Sequence, residues 1–350
     1  MAEEVAPASS PVEDRPAPPA VIRMKSQESN RTPFWVLLSV SVGFLLPVCS
    51  CAVLFLVSML GLSVVGNGPA VGISGTGDAV AIIHVQGPIT SGDESDFSTG
   101  AVSGIIMSDL RAAADDPSVK AIVLRVDSPG GTVTGSAQIY EVVKEVEKPI
   151  VVSMVSVAAS GGYYVSAPAD HIIARPDTVT GSIGVILTLY DAEELLNEVG
   201  VDVTIIASGP NKALGTPWEE LSPQQREILE AFVAESFEDF VRVVADGRGM
   251  SLDTVRELAD GRIYTGRQAL AVGLVDELGN LQDAIDKAAE LGGISGEPRI
   301  VEYEHLPDFQ TFLRGFSTRL NKSEADHIVD TITRFTTPSL EYRYVGPQLR

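Results

Sequence analysis

Three short apolar runs, at 79–85, 120–126 and 149–155, are separated by stretches of helical spacing at 105–114 and 134–147. Unbroken apolar runs of that length suit strands buried on both faces. A helix between two such strands makes a parallel βαβ unit, so the expected class is α/β. The second half predicts another strand at 203–207 and helices at 223–245, 253–259 and 281–291. The tail beyond about Pro338 looks irregular, and no internal repeat is visible. A chain of 350 residues is long enough for one or two domains with a sizeable core.

A different pattern precedes this region. Residues 1–33, rich in Pro, Ala, Ser and charge, read as a disordered tail. From Phe34 to about Val65 no residue is charged. That exceeds the ~20 residues a spanning helix needs. Arg15, Arg23, Lys25 and Arg31 precede the run, and the next Lys or Arg is Arg111. The positive-inside rule therefore places the N-terminus in the cytoplasm and the rest outside the cell membrane. A cleaved signal peptide is the rival, but the run is long and no clear A-x-A site follows it. Cys49 and Cys51 both lie inside the run, as lipid-facing or packing residues or as lipid attachment sites. The expected layout is a tail at 1–33, a single transmembrane helix at 34–65 and a Gly-rich linker at 66–78. A catalytic domain at 79–305 and a C-terminal extension at 306–350 complete it.

The net charge of −22 leaves no basic cluster to neutralise phosphates, which argues against a nucleic-acid partner. With both cysteines in the apolar run, no disulfide framework or thiolate metal site is expected. His84, His171, His305 and His327 show no metal-ligand spacing.

Four segments carry residues suited to catalysis. Ala158-Ala159-Ser160-Gly161-Gly162 sets a serine among small neighbours where a substrate backbone could approach. It is not the G-x-S-x-G elbow, because Ala158 takes the first glycine position, and such a segment alone also reads as close packing. Ser128-Pro129-Gly130-Gly131 follows a predicted strand; it can present backbone N–H groups as an oxyanion hole or be a plain turn. Lys212 is the one lysine among arginines between Lys148 and Lys287. Arginine stays protonated in proteins, whereas a buried lysine can serve as a base. A solvated loop lysine is the plainer reading. Thr180-Gly181-Ser182-Ile183-Gly184 holds a second serine, able to hydrogen-bond an amine or simply part of a glycine-spaced strand. For a Ser-His-Asp triad only His171 is near in sequence, and it reads better as a strand-edge residue. No phosphate-binding loop is present, and neither a metal nor a nucleotide cofactor is called for.

Taken in order, residues 127–131, 158–164, 167–170, 180–185 and Lys212 resemble the signal peptide peptidase A (SppA) family of Ser/Lys peptidases. So do Gly247-Arg248-Gly249-Met250, residues 260–266, Gln268-Ala269 and Gly273-Leu274-Val275-Asp276. The resemblance covers about 79–290. It implies the Clp-protease/crotonase-like superfold, a stacked βαβ spiral in a ring-forming subunit. It also implies Ser160 as nucleophile, Lys212 as general base and Ser182 as the group orienting the lysine. Gly130 and Gly131, with Gly161, would supply oxyanion donors. Short members form homo-oligomeric rings in which Ser and Lys of one site come from neighbouring subunits. The implied substrates are apolar remnant signal peptides, and the small residues around Ser160 and Gly130 leave room for aliphatic side chains. Broader membrane-protein quality control, an inactive ring-shaped scaffold and crotonase-type thioester chemistry are the competing readings.

Overall fold

The computed structural model describes residues 70–74, 77–93, 100–304 and 339–346. The tail and apolar run expected at 1–33 and 34–65, and most of the extension expected at 306–350, lie outside the described residues. Among the described residues, no helix is long and apolar enough to cross a membrane.

The first βαβ units form where the apolar runs lie. β1 (Ala70–Ser74) and β2 (Ala79–Gln86) lead into the short strands β3 (Ile89–Thr90) and β4 (Ala101–Val102). The helix Ser103–Asp115 then crosses to β5 (Val119–Ser128), which turns into β6 (Gly130–Thr132). The helix Val133–Glu145 crosses to β7 (Ile150–Ala159), followed by the short helix Gly161–Ser166. Next come β8 (His171–Ala174), β9 (Val179–Gly181) and β10 (Ile186–Leu187). The long helix Pro223–Arg248 precedes β11 (Ile263–Thr265) and β12 (Glu277–Leu278). The helix Leu281–Leu291, then β13 (Arg299–Glu304) and β14 (Leu340–Arg343), complete the order.

The main sheet runs β1-β13-β2-β5-β7-β8-β12. Its centre is parallel, with Ile82 opposite Val123 and Val123 opposite Val151. Side chains alternate between its faces. Ala81, Ile83, Leu124 and Val152 enter the larger core with Ile106, Leu110, Ile139 and Val142 of the crossover helices. Val80, Ile82, Val123 and Val151 face the other way, onto Ala284, Ile285 and Ala288 of the helix Leu281–Leu291. Burial on both faces is why these strands are continuously apolar. A smaller sheet, β10-β14-β6-β3-β4, stands where β5 ends.

Three expectations need correction. Residues 203–207 form no strand, and Ile206 is 96% exposed; an apolar run becomes a strand only where a neighbour can pair with it. Part of the expected linker is strand β1, antiparallel to β13 from Ala70↔Glu304 to Ser74↔Ile300. The supposedly irregular end contains β14, held between β10 and β6 with Tyr342 only 1% exposed.

The long helix starts with a capping box. Ser222 Oγ accepts from the Gln225 N–H at 3.3 Å, and Gln225 Oε1 accepts from the Ser222 N–H at 3.0 Å. It ends at Gly249 with φ 61°, in the left-handed cap conformation. Ser222→Ala is expected to lower stability by about 1 kcal/mol, read as a shift in the urea midpoint at unchanged m-value.

Candidate active site

β7 positions Ser160. Its first half pairs with β8 (Val151↔His171), and its last residues pair with β9 (Ala158↔Thr180, Ala159↔Gly181). The chain then turns sharply into the helix Gly161–Ser166 with Ser160 at φ 55° and ψ −117°. L-residues rarely adopt that combination, which costs roughly 1–3 kcal/mol. Two bonds hold it: Ser160 N–H donates to the Gly181 carbonyl at 2.7 Å, and Ser160 C=O accepts from Tyr164 N–H at 2.8 Å. Among the described residues, Ser182 at φ 48° is the other non-glycine residue with positive φ. Its N–H donates to the Arg262 carbonyl at 2.8 Å. The carbonyl that restrains Ser160 thus belongs to the residue before Ser182, so β9, paired with β7 on one side and β11 on the other, links the two strained serines.

Gly130 and Gly131 lie against the same turn. Gly130 has φ 88°, and its N–H donates to Ser128 Oγ at 3.1 Å. Ser128 Oγ in turn donates to the Gly87 carbonyl at 2.7 Å. Packing here leaves no room for side chains. A Cβ on Gly130 would stand 2.1 Å from the Tyr342 carbonyl oxygen and 2.5 Å from Gly161 N. One on Gly131 would meet the Ile89 carbonyl oxygen at 1.8 Å, and one on Gly161 would meet Ser136 Oγ at 2.5 Å. Close packing therefore requires glycine at these three positions.

Ser160 and Ser182 line one cavity of about 490 Å³ with Val185, Phe237 and Asp260. The cavity also takes in Arg343 and Tyr344, just past the end of β14. Hydrogen bonds from the Arg262 guanidinium and N–H draw the exposed Asp260 carboxyl down to about 2, so it carries charge at the cavity edge. Ser160 is 1% exposed, because β14 and the residues after it cover the site.

Lys212 is not brought to these serines. It sits in the turn at 209–215, its N–H donating to the Gly209 carbonyl at 3.2 Å, with its side chain exposed and outside the cavity lining. His171 pairs with Glu277 at 3.2 Å and lies opposite Val151, near the start of β7. At ~3.3 Å per strand residue that is roughly 25–30 Å from Ser160, too far for a base in the same chain. His84 binds Glu302 at 2.7 Å.

Sequence reasoning missed β14 and the pocket that receives Tyr342. The pocket is built from Tyr164, Phe240 and the Ser236 carbonyl, which accepts from the Tyr342 hydroxyl at 2.8 Å. The alternation Leu340-Glu341-Tyr342-Arg343-Tyr344 was the available signal. Burial pushes the Tyr164 and Tyr342 phenols well above their ordinary range, so both remain neutral and the Tyr342 hydroxyl stays a donor.

A parallel sheet ending in a Gly-Gly turn beside a strained serine defines a class, the Clp-protease-like α/β fold. Residues 93–178 match the Clp protease family accordingly. The Peptidase family S49 description matches residues 143–295. A putative protease of Synechocystis sp. is 42% identical over 221 residues, 62% of this chain and 79% of that protein. Protease 4 of Salmonella typhi is 39% identical over 219 residues, 62% of this chain and 35% of that protein. A putative signal peptide peptidase SppA of Enterococcus faecium is 38% identical over 202 residues, 57% of this chain and 58% of that protein. The chain belongs to peptidase family S49, the signal peptide peptidase A family. It spans about a third of the Salmonella relative and just over half of the Enterococcus one.

Proposed function

We propose that this protease is a membrane-anchored serine endopeptidase of the cell membrane, with Ser160 as nucleophile and Lys212 of a neighbouring copy as general base. The observation that carries the reading is the strained Ser160, held by Gly181 against the Gly130-Gly131 turn. The neutral lysine amine takes the proton from Ser160 Oγ as that oxygen attacks the peptide carbonyl. Since Gly130 N–H already serves Ser128 Oγ, the oxyanion falls to the N–H groups of Gly131 and Gly161, with Gly130 allowing close approach. Ser182, beside Ser160 in the cavity, orients the amine. The proton then passes to the leaving amine, and water hydrolyses the acyl-enzyme. Remnant signal peptides are the proposed substrates, and the apolar run at 34–65 would tether the protease near them.

The exposed position of Lys212 supports a site shared between copies. Full-length Ser160→Ala and Lys212→Ala chains are each expected to be inactive. Co-assembled one to one, they should recover about a quarter of wild-type activity, because a ring site pairs one patch with a different patch of the next copy. A mixture as inactive as its components would contradict the shared site.

A further inference from the structure

The turn Asp260-Gly261-Arg262 leads into β11 and meets Ser182 where β9 ends. The β9–β11 ladder pairs Ile263 with Gly181, Tyr264 with Thr180 and Thr265 with Val179. Past its end, two hydrogen bonds of opposite direction continue the contact. Ser182 N–H donates to the Arg262 carbonyl at 2.8 Å, and Gly261 N–H donates to the Ile183 carbonyl at 3.2 Å. The turn thus grips the chain at Ser182 and again at Ile183. A serine at φ 48° is strained, and it persists only where its surroundings impose that conformation.

Asp260 closes the turn. Its Oδ1 accepts from the Arg262 N–H at 3.0 Å, a side chain capping the backbone two residues on. The same carboxylate accepts from Arg262 Nε at 2.7 and 2.8 Å and from Arg262 Nη2. Gly261 has φ 86°, which glycine adopts without steric cost. Tyr264 braces the base of the turn. Its hydroxyl donates to the Leu258 carbonyl at 3.0 Å, and its ring lies where a Cβ on Gly181 would stand, 2.5 Å from Cδ2. Asp260 and Arg262 are exposed, so their ion pair adds little stability. What the turn fixes is the backbone of Ser182, which lines the same cavity as Ser160.

We propose that Asp260 is a positioning residue of the proton-transfer step: by capping the Arg262 N–H it places the Arg262 carbonyl that holds Ser182, so that the Ser182 hydroxyl donates to the neutral lysine amine. The proposal rests on the reading of Ser160 as nucleophile and Lys212 as base. A hydroxyl donating to the amine lone pair favours the neutral lysine and lowers its pKa. When the turn loosens, that bond is lost, the amine protonates more readily, and activity retreats to higher pH. Deleting the Asp260 charge by itself would act the other way, because a nearby carboxylate favours the ammonium. The sign of the shift therefore separates positioning from charge. Asp260 does not titrate with the lysine, since Arg262 holds its carboxyl down at about 2. The other charged or titratable groups lining the cavity are Arg343 and Tyr344, and the helix Pro223–Arg248 contributes only Val233 and Phe237.

The test follows labelling of Ser160 by a fluorophosphonate across neutral and alkaline pH, in the full chain in detergent. Asp260→Ala should label about tenfold or more slowly at neutral pH, with the acidic limb of the profile raised by about one pH unit. Asparagine keeps the oxygen that caps the Arg262 N–H, so Asp260→Asn should stay within about threefold of wild type, without a raised limb. Asp260→Ser, a weaker cap of the same kind, should fall between the two. Ser182→Ala should resemble Asp260→Ala. The double variant Ser182→Ala/Asp260→Ala should be within about threefold of Ser182→Ala alone, because the turn acts through that serine. A wild-type rate and limb in Asp260→Ala, a limb moved to lower pH, an equal loss in Asp260→Asn, or losses that multiply in the double variant each overturn the inference and leave the Ser160–Lys212 pairing standing. A wild-type chain that is not labelled at Ser160 overturns the peptidase reading, and the inference with it. Urea midpoints check folding, and the Asp260→Asn and Asp260→Ser pair keeps the test decisive where Asp260→Ala does not fold.

Discussion

Ser160→Ala in the full chain is expected to lower peptide hydrolysis by about 10⁴- to 10⁶-fold, the range seen when a covalent nucleophile is removed from a serine peptidase. At about 1.4 kcal/mol per tenfold, that is a loss of roughly 6–8 kcal/mol of transition-state stabilisation. Folding should hardly change. Alanine keeps the N–H that donates to Gly181 and the carbonyl that accepts from Tyr164, and Ser160 Oγ is absent from the described structural hydrogen bonds. The positive φ strains serine and alanine alike. A urea midpoint within about 0.5 kcal/mol of wild type should therefore accompany the lost activity. If hydrolysis stays at the wild-type rate, another residue is the nucleophile.

The second large effect is on stability. Gly131→Ala would drive a methyl group to 1.8 Å from the Ile89 carbonyl oxygen and 2.6 Å from Ile89 C and N. All three atoms are backbone, and Ile89 is opposite Gly131 in the β3–β6 pair. The clash cannot be relieved by turning a side chain, so the smaller sheet must open. We expect a loss of about 3 kcal/mol or more, beyond ordinary overpacking, together with loss of activity. Gly209→Ala is the control, since its Cβ would meet nothing within 4 Å and no positive φ opposes it. That change should be neutral or stabilising by up to about 1 kcal/mol, through the reduced entropy of the unfolded chain. Equal urea midpoints for the two variants would contradict the packing described around Gly131.

The parallel core was legible because burial on both faces leaves a plain signature. The runs at 79–85, 120–126 and 149–155 are strands β2, β5 and β7, each one to four residues longer at an end than read. The helix expected at 281–291 has those bounds. Ser160, Gly130, Gly131 and Ser182 stood out as small or turn-forming residues at strand ends, and the fold gathers them at one corner. What periodicity could not supply was pairing over distance. β14 alternates as clearly as many strands, yet its partner β6 lies some two hundred residues earlier, and loop closure over that span leaves no local trace. The run at 203–207 shows the converse, apolar residues without a neighbour to pair with. Lys212 was singled out by residue type alone, and nothing in one chain buries it. The tyrosine pocket combines Tyr164, Ser236, Phe240 and Tyr342, four residues that no spacing rule connects.

The central claim is that Ser160 is activated by Lys212, and covalent labelling tests it most directly. The full-length chain would be treated with a fluorophosphonate, digested, and mapped by mass spectrometry, with Lys212→Ala treated in parallel. The account predicts a phosphonyl adduct on Ser160 in wild type, and labelling at least about a hundredfold slower without the base. An adduct on a different serine, or labelling of Ser160 at the same rate without Lys212, would contradict it.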